Sequence, residues 1–253
     1  MRPMPARLVP VGLAVAAVAM AGCSSAKKTA ASTPPSTPPT SASTTASASP
    51  TESTSSAPAV TAKLTAIALQ ATDVPAGFRG TPAEPDPAEA AGQAQLAACL
   101  GVRNTYPDRS GSVQSKDFAR GDATISSQVN GFRSRDAVDS DIAMLKKPKI
   151  DSCYTKLVRA ELATSLPSGS TVDALSVHLT PGAGGGPGNV AGLVSAKLTV
   201  TVSGQTADVF IDTALISGPR IEAEVDFENV GARVPASVRT PVIAKVAARA
   251  AHA

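Results

Sequence analysis

Tryptophan is absent from this chain, and its aromatic side chains amount to five Phe and two Tyr. An exposed aromatic platform for carbohydrate therefore has little to be built from. Histidine is scarcer still: His178 and His252 are the whole supply, with no cysteine beside either. Two scattered histidines make neither a metal site nor a Ser-His-Asp arrangement. The motifs GxSxG, HExxH and CxxC do not occur. No cluster of Lys and Arg is interleaved with aromatics, so a nucleic-acid surface has no support. These absences point to a non-catalytic chain without metal or cofactor.

What is present begins with a leader. Arg2 and Arg7 precede an apolar stretch from Leu8 to Ala21, interrupted only by Pro10. It is too short for a stable membrane-crossing helix and ends in small residues, as cleaved export signals do. Of the net charge of +3, two units are Arg2 and Arg7, leaving +1 for the rest. The run Met20-Ala21-Gly22-Cys23 resembles the bacterial lipoprotein lipobox. That resemblance implies cleavage between Gly22 and Cys23 and a diacylglycerol on the Cys23 sulfur. The expected partner is thus the membrane, through acyl chains on Cys23. The expected location is its outer face, exposed to the cell wall.

Residues 23–62 are dominated by Ser, Thr, Ala and Pro, with Pro34-Pro35 and Pro38-Pro39 as stiffening pairs. Such a segment cannot bury enough apolar surface to offset its ordering entropy, and reads as a disordered tether. At about 3.1 Å per residue it would reach on the order of 100 Å if extended. The expected organisation is leader 1–22, tether 23–62 and one folded domain over 63–253. Cys99 and Cys153 remain beyond Cys23. In an exported chain an even remainder reads as a disulfide; two separate buried thiols are the other reading.

Within the domain, Leu64 to Gln70 reads as a short helix. Asp86-Pro87 opens a second one, ending at Leu100 before Gly101. Asp122 to Phe132 alternates as a strand, and Ser134 caps a helix carrying Val138, Ile142 and Leu145. Asp151 is expected to cap the next helix, and Thr240 to cap a last one opened by Pro241. Leu175 to Leu179, Val190 to Val202, Gln205 to Ile216 and Ile221 to Phe227 read as strands. A Ser203-Gly204 turn would set Leu198 opposite Val209. Putting Val209, Ile211 and Leu215 on the face of Ile221, Val225 and Phe227 requires an odd-length loop at Gly218-Pro219. The expected fold is α+β: an antiparallel sheet of about five strands with helices packed on one face.

Two sites invite chemistry. Gly182 to Gly188 is glycine-rich, but no Lys-Ser/Thr follows and a strand comes next, so it reads as a loop and not a phosphate cradle. Glu222, Glu224, Asp226 and Glu228 share one face of the last strand, and Asp208 and Asp212 are expected to join them. A cation site is the sharper reading. Strand-spaced carboxylates point in parallel, however, so a solvated sheet face with Lys197 nearby is expected.

The lipobox, tether and spaced cysteines are similar to exported lipoproteins of high-GC actinobacteria. Ala71-Thr72-Asp73-Val74-Pro75-Ala76-Gly77-Phe78, the Arg135-Asp136-Ala137 helix start and Cys153 resemble the PknH-like extracellular domain family. That family commonly carries two disulfides, where this chain can form one. The resemblance implies an α+β sandwich with a binding or sensing role for a small molecule or cell-wall component. A lipid or glycolipid carrier is the alternative, and would need a large dry cavity.

Overall fold

The computed structural model describes residues 57–84, 86–182 and 189–253. Gly22, Cys23, most of the Ser/Thr/Pro segment and the glycine-rich loop from Ala183 to Gly188 lie outside the described residues. The chain runs α1 (Ala57–Ile67), β1 (Arg79–Thr81), α2 (Glu89–Leu100), a 3-10 turn (Tyr106–Asp108), β2 (Arg109–Gln114), β3 (Asp117–Arg120) and β4 (Ala123–Phe132). It continues α3 (Arg135–Met144), α4 (Ile150–Ser165), β5 (Thr171–Pro181), β6 (Val190–Val202), β7 (Gln205–Ser217), β8 (Ile221–Val230) and α5 (Ala236–Ala251). The α+β class holds, but the antiparallel sheet has 8 strands, ordered β1-β3-β4-β8-β7-β6-β5, with β2 pairing β4 beside β3.

Turn chemistry sets the β6–β7 register. Ser203 and Gly204 both have positive φ, at 52° and 79°, as a two-residue hairpin loop demands. Val202 then pairs Gln205 and Leu198 pairs Val209, as the sequence predicts. The β7–β8 loop departs from expectation. Ser217 pairs Glu222, so the loop is even in length. A Cβ on Gly218 would run into the Ala250 carbonyl of α5, which reserves that turn for glycine.

This register sends Val209 and Ile211 to one face of the sheet and Ile221, Val225 and Phe227 to the other. Helices cover both faces, which corrects the one-sided expectation. On one face, Leu64, Ile67, Val242 and Val246 of α1 and α5 pack on Ile125, Val129, Val225 and Phe227. On the other, Leu96 of α2 and Leu157, Val158 and Leu162 of α4 pack on Val177, Val194, Leu198 and Ile211. Each helical layer covers only part of its face. One-sided burial is the simplest way to satisfy a period-two pattern; a wide sheet has room for an apolar patch on each side.

Helix boundaries shift for reasons outside the local code. α1 opens at Ala57, inside the stretch read as tether, because Val60 packs against the core. α5 starts at Ala236 and carries Pro241 inside it, so Thr240 is not its cap. Asp151 lies within α4 and not at its cap; its carboxylate accepts from the Leu179 N–H (2.9 Å), tying the helix to β5. Arg249 of α5 clasps the end of α1, and Lys245 donates to the Thr72 and Asp73 carbonyls beyond it, at 2.9 and 3.2 Å. Arg249 donates to the Ile67 and Ala68 carbonyls, both at 3.1 Å, and pairs with buried Asp73 at 2.7 Å. This satisfies helix-end carbonyls that the backbone leaves open.

Cys99 at the end of α2 is disulfide-bonded to Cys153 in α4, with Cα atoms 5.9 Å apart. Replacing both with Ser is expected to cost about 2–5 kcal/mol of unfolding free energy. Urea unfolding with and without reductant measures it; an unchanged midpoint would contradict the bridge's role.

Candidate functional site

Strand β8 brings its carboxyls into an unexpected place. Through the β4 and β7 registers, Glu222, Glu224, Asp226 and Glu228 share their face with Asn130, Gln128 and Ser126 and with Thr213 and Leu215. This is the face on which α2, α3 and α4 lie. The row is therefore not a solvated surface: Asp226 is 5% exposed and its three neighbours are half-buried. Asp208 and Asp212 do not join it, because the even loop puts them on the opposite face. There Asp212, 1% exposed, pairs with Arg233 and with Arg239 at 3.0 Å. Asp208 pairs with Lys197 at 2.8 Å, so that lysine does not compensate the row.

A narrow cleft lies between the row and the helices, lined by Gln93, Leu96, Asp141, Tyr154, Glu222 and Glu224 among others. A second, smaller space lies under α4, lined by Val158, Val177, Val194, Ala196 and Ile211. Tyr154, Leu215 and Glu224 line both, so the two spaces meet there. The first has a carboxyl-rich end and the second is mostly hydrocarbon.

Positive charge is scarce at the row. Arg109 is paired with Glu89, which also accepts from Gln128. Burial accordingly favours the protonated acids. Glu222 is pushed well above the carboxylate range by desolvation, then by Asp141 and Glu224. It hydrogen-bonds Asp141, whose own carboxyl is raised by burial against the opposing bonds from Thr105 and Glu222. Burial and then Asp226 push Glu224 up to about 8. Burial pushes Glu228 up to about 8 and Asp226 up to about 6; a Thr213 hydroxyl bond of 2.6 Å holds Asp226 back. Glu161 on α4 is pushed up to about 7 by burial and Asp86. The Tyr154 hydroxyl is held protonated by burial and by Glu224.

Some polar atoms find no partner. Glu222 Oε1 and Asp226 Oδ2 are shielded from solvent and accept no hydrogen bond, and Asn130 Nδ2 donates none. Such groups cost free energy unless something outside the fold completes them. Among the described residues no group of three or more His, Cys, Asp or Glu is placed to hold a metal ion. His178 sits on an exposed strand face with Asp151 at 3.1 Å, and His252 follows the end of α5; neither approaches the cleft.

Asp141, Tyr154, Glu161 and Glu89 escaped the sequence reading. One signal was available. Tyr154, Val158 and Glu161 fall at i, i+4 and i+7 on α4, placing a carboxyl inside an otherwise apolar stripe.

No known protein family matches the chain, and no curated protein does. Among solved structures, the extracellular domain of PknH from Mycobacterium tuberculosis is similar at a TM-score of 0.41 and 8% identity, covering 75% of this chain and 95% of that one. A likeness that distant assigns neither ligand nor activity. No helix among the described residues is long and apolar enough to cross a membrane.

The raised acids fix the sign of a pH effect. Each takes up protons on folding, so its contribution is fully present below the unfolded pKa and is lost as pH rises through the folded one. The melting temperature is expected to fall from about pH 5 to about pH 9. Glu224→Gln is expected to raise it at pH 8 by about 3 °C. Calorimetry across that range checks both; a melting temperature rising with pH would contradict them.

Proposed function

We propose that the chain is a lipid-anchored extracytoplasmic domain that binds a ligand without chemical turnover. In this reading acyl chains on Cys23 hold it at the outer face of the cell membrane. The tether presents the domain to the cell-wall space, and the cleft beneath α4 is its binding site. The leader and lipobox support the anchor. The Cys99–Cys153 bridge fits an oxidising compartment.

One observation carries the binding reading. The cleft joins an apolar cavity to a shielded carboxyl oxygen, Glu222 Oε1, for which the fold supplies no partner. Concave, mostly apolar spaces with a few convergent polar groups are the usual form of small-molecule sites. The hydrocarbon lining under α4 favours a second reading, a lipid carrier. Against it, that cavity ends at Glu224, so a long acyl chain would lie on carboxyls.

Native mass spectrometry of the protein extracted from its own membranes tests both halves. The expected species begins at Cys23, carries acyl chains covalently and retains a small ligand. A bound long-chain lipid would favour the carrier. An unmodified N-terminus would remove the anchor, and a ligand-free protein would remove the binding reading.

A further inference from the structure

Away from the cleft, the surface carries a concentration of positive charge. Lys146, Lys147 and Lys149 lie in the turn from α3 to α4, and all three are exposed. Lys149, Ser152, Lys156 and Arg159 then recur at i, i+3, i+7 and i+10, forming one exposed stripe along α4. Leu157, Val158 and Leu162, on the other side of that helix, go into the core. Among the described residues none of the five cations takes part in a salt bridge. The acids of α4 are engaged elsewhere. Asp151 meets the Leu179 N–H and His178 of β5, and Glu161 lies half-buried near Asp86. The chain from Cys23 carries +1 and these five carry +5, so everything else on it carries −4.

Such an arrangement does little for the fold. Lys156 and Arg159 stand about one turn apart and repel each other. Lys149 sits at the N-terminal end of α4, where the helix dipole disfavours a cation. We propose that this face docks the domain on an anionic lipid bilayer, with Lys146, Lys147, Lys149, Lys156 and Arg159 against the phosphate layer. Lysines are point charges on flexible stems, which suit a fluid sheet of phosphates better than one anion held in fixed geometry. Each Lys or Arg within a Debye length of an anionic surface raises partitioning about fivefold.

A bilayer is favoured over a soluble polyanion by the lipid anchor on Cys23, the reading on which this choice rests. Between Cys23 and Ala57, where α1 begins, there are 33 residues. Helix α1 packs on the sheet face opposite α4, so that segment must pass round the domain for the stripe to meet the membrane. At about 3.1 Å per residue it has on the order of 100 Å in which to do so. The anchor supplies a high local concentration of lipid, and the stripe has only to turn the domain toward it.

Vesicle co-sedimentation of the chain from residue 23 onward, carrying Cys23→Ser, tests this. It needs no acyl chain on the protein, so it can fail without touching the anchor. At about 0.05 M salt, phosphatidylcholine vesicles with about 40% phosphatidylglycerol are expected to bind it about a hundredfold better than pure phosphatidylcholine. That preference is expected to vanish at about 0.5 M salt. Lys149→Gln, Lys156→Gln and Arg159→Gln together, all exposed and unpaired, are expected to lose it too. Lys63→Gln, Arg79→Gln and Lys116→Gln together remove the same charge from exposed positions elsewhere and keep it. Equal binding to neutral and anionic vesicles, equal losses from the two triple variants, or no binding at all overturns the docking face. Binding to soluble polyphosphate but not to vesicles gives the stripe to a polyanion and overturns the bilayer.

Discussion

Strand β8 is covered on both of its faces, and only one of them is apolar. Ile221, Ala223, Val225 and Phe227 face α1 and α5, each at 4% exposure or less. Glu222, Glu224, Asp226 and Glu228 face the layer of α2, α3 and α4. The apolar side fixes the strand, since moving it by one residue would exchange the two sets. The carboxyls are therefore placed by the burial of Val225 and Phe227, not by any attraction of their own. Their withdrawal from water raises their affinity for protons, and any partner that completes them does so at this face.

Around that strand, the remaining ties hold the helical layers in place. Arg249 reaches from α5 to Asp73 and to the last carbonyls of α1, linking the two helices of one layer. The Cys99–Cys153 bridge links α2 to α4 in the other. Ser127, in the middle of β4, accepts from the Leu69 N–H at 2.8 Å and so satisfies the chain leaving α1. Both layers are thus fastened at the helices, while the acid row between sheet and helices has only Arg109 nearby, already paired to Glu89.

Local signals in the sequence were reliable where the chemistry is local. The Ser203-Gly204 turn, the Ser134 cap of α3 and the Gly101 end of α2 read directly from neighbouring residues, and the Cys99–Cys153 pair from the even cysteine remainder. Strands β1, β2 and β3 did not. Arg79–Thr81, Arg109–Gln114 and Asp117–Arg120 are short and lack clean alternation; pairing with β4 makes β2 and β3 strands, and pairing with β3 makes β1 one. The site was half legible. The spacing of Glu222 to Glu228 put four carboxyls on one face, but which face hung on the parity of one loop. The choice between Asp212 and Thr213 as neighbours of Asp226 followed from it. Asp141 and Tyr154 join the row only through tertiary packing, which no local pattern encodes.

Side-chain carboxyl carbon resonances of Glu224 and Glu228, followed by NMR through a pH titration, test the placement of the acid row most directly. Midpoints at about 8 for both residues are expected. Midpoints at the ordinary 4.5 would show both side chains in water and contradict a covered row.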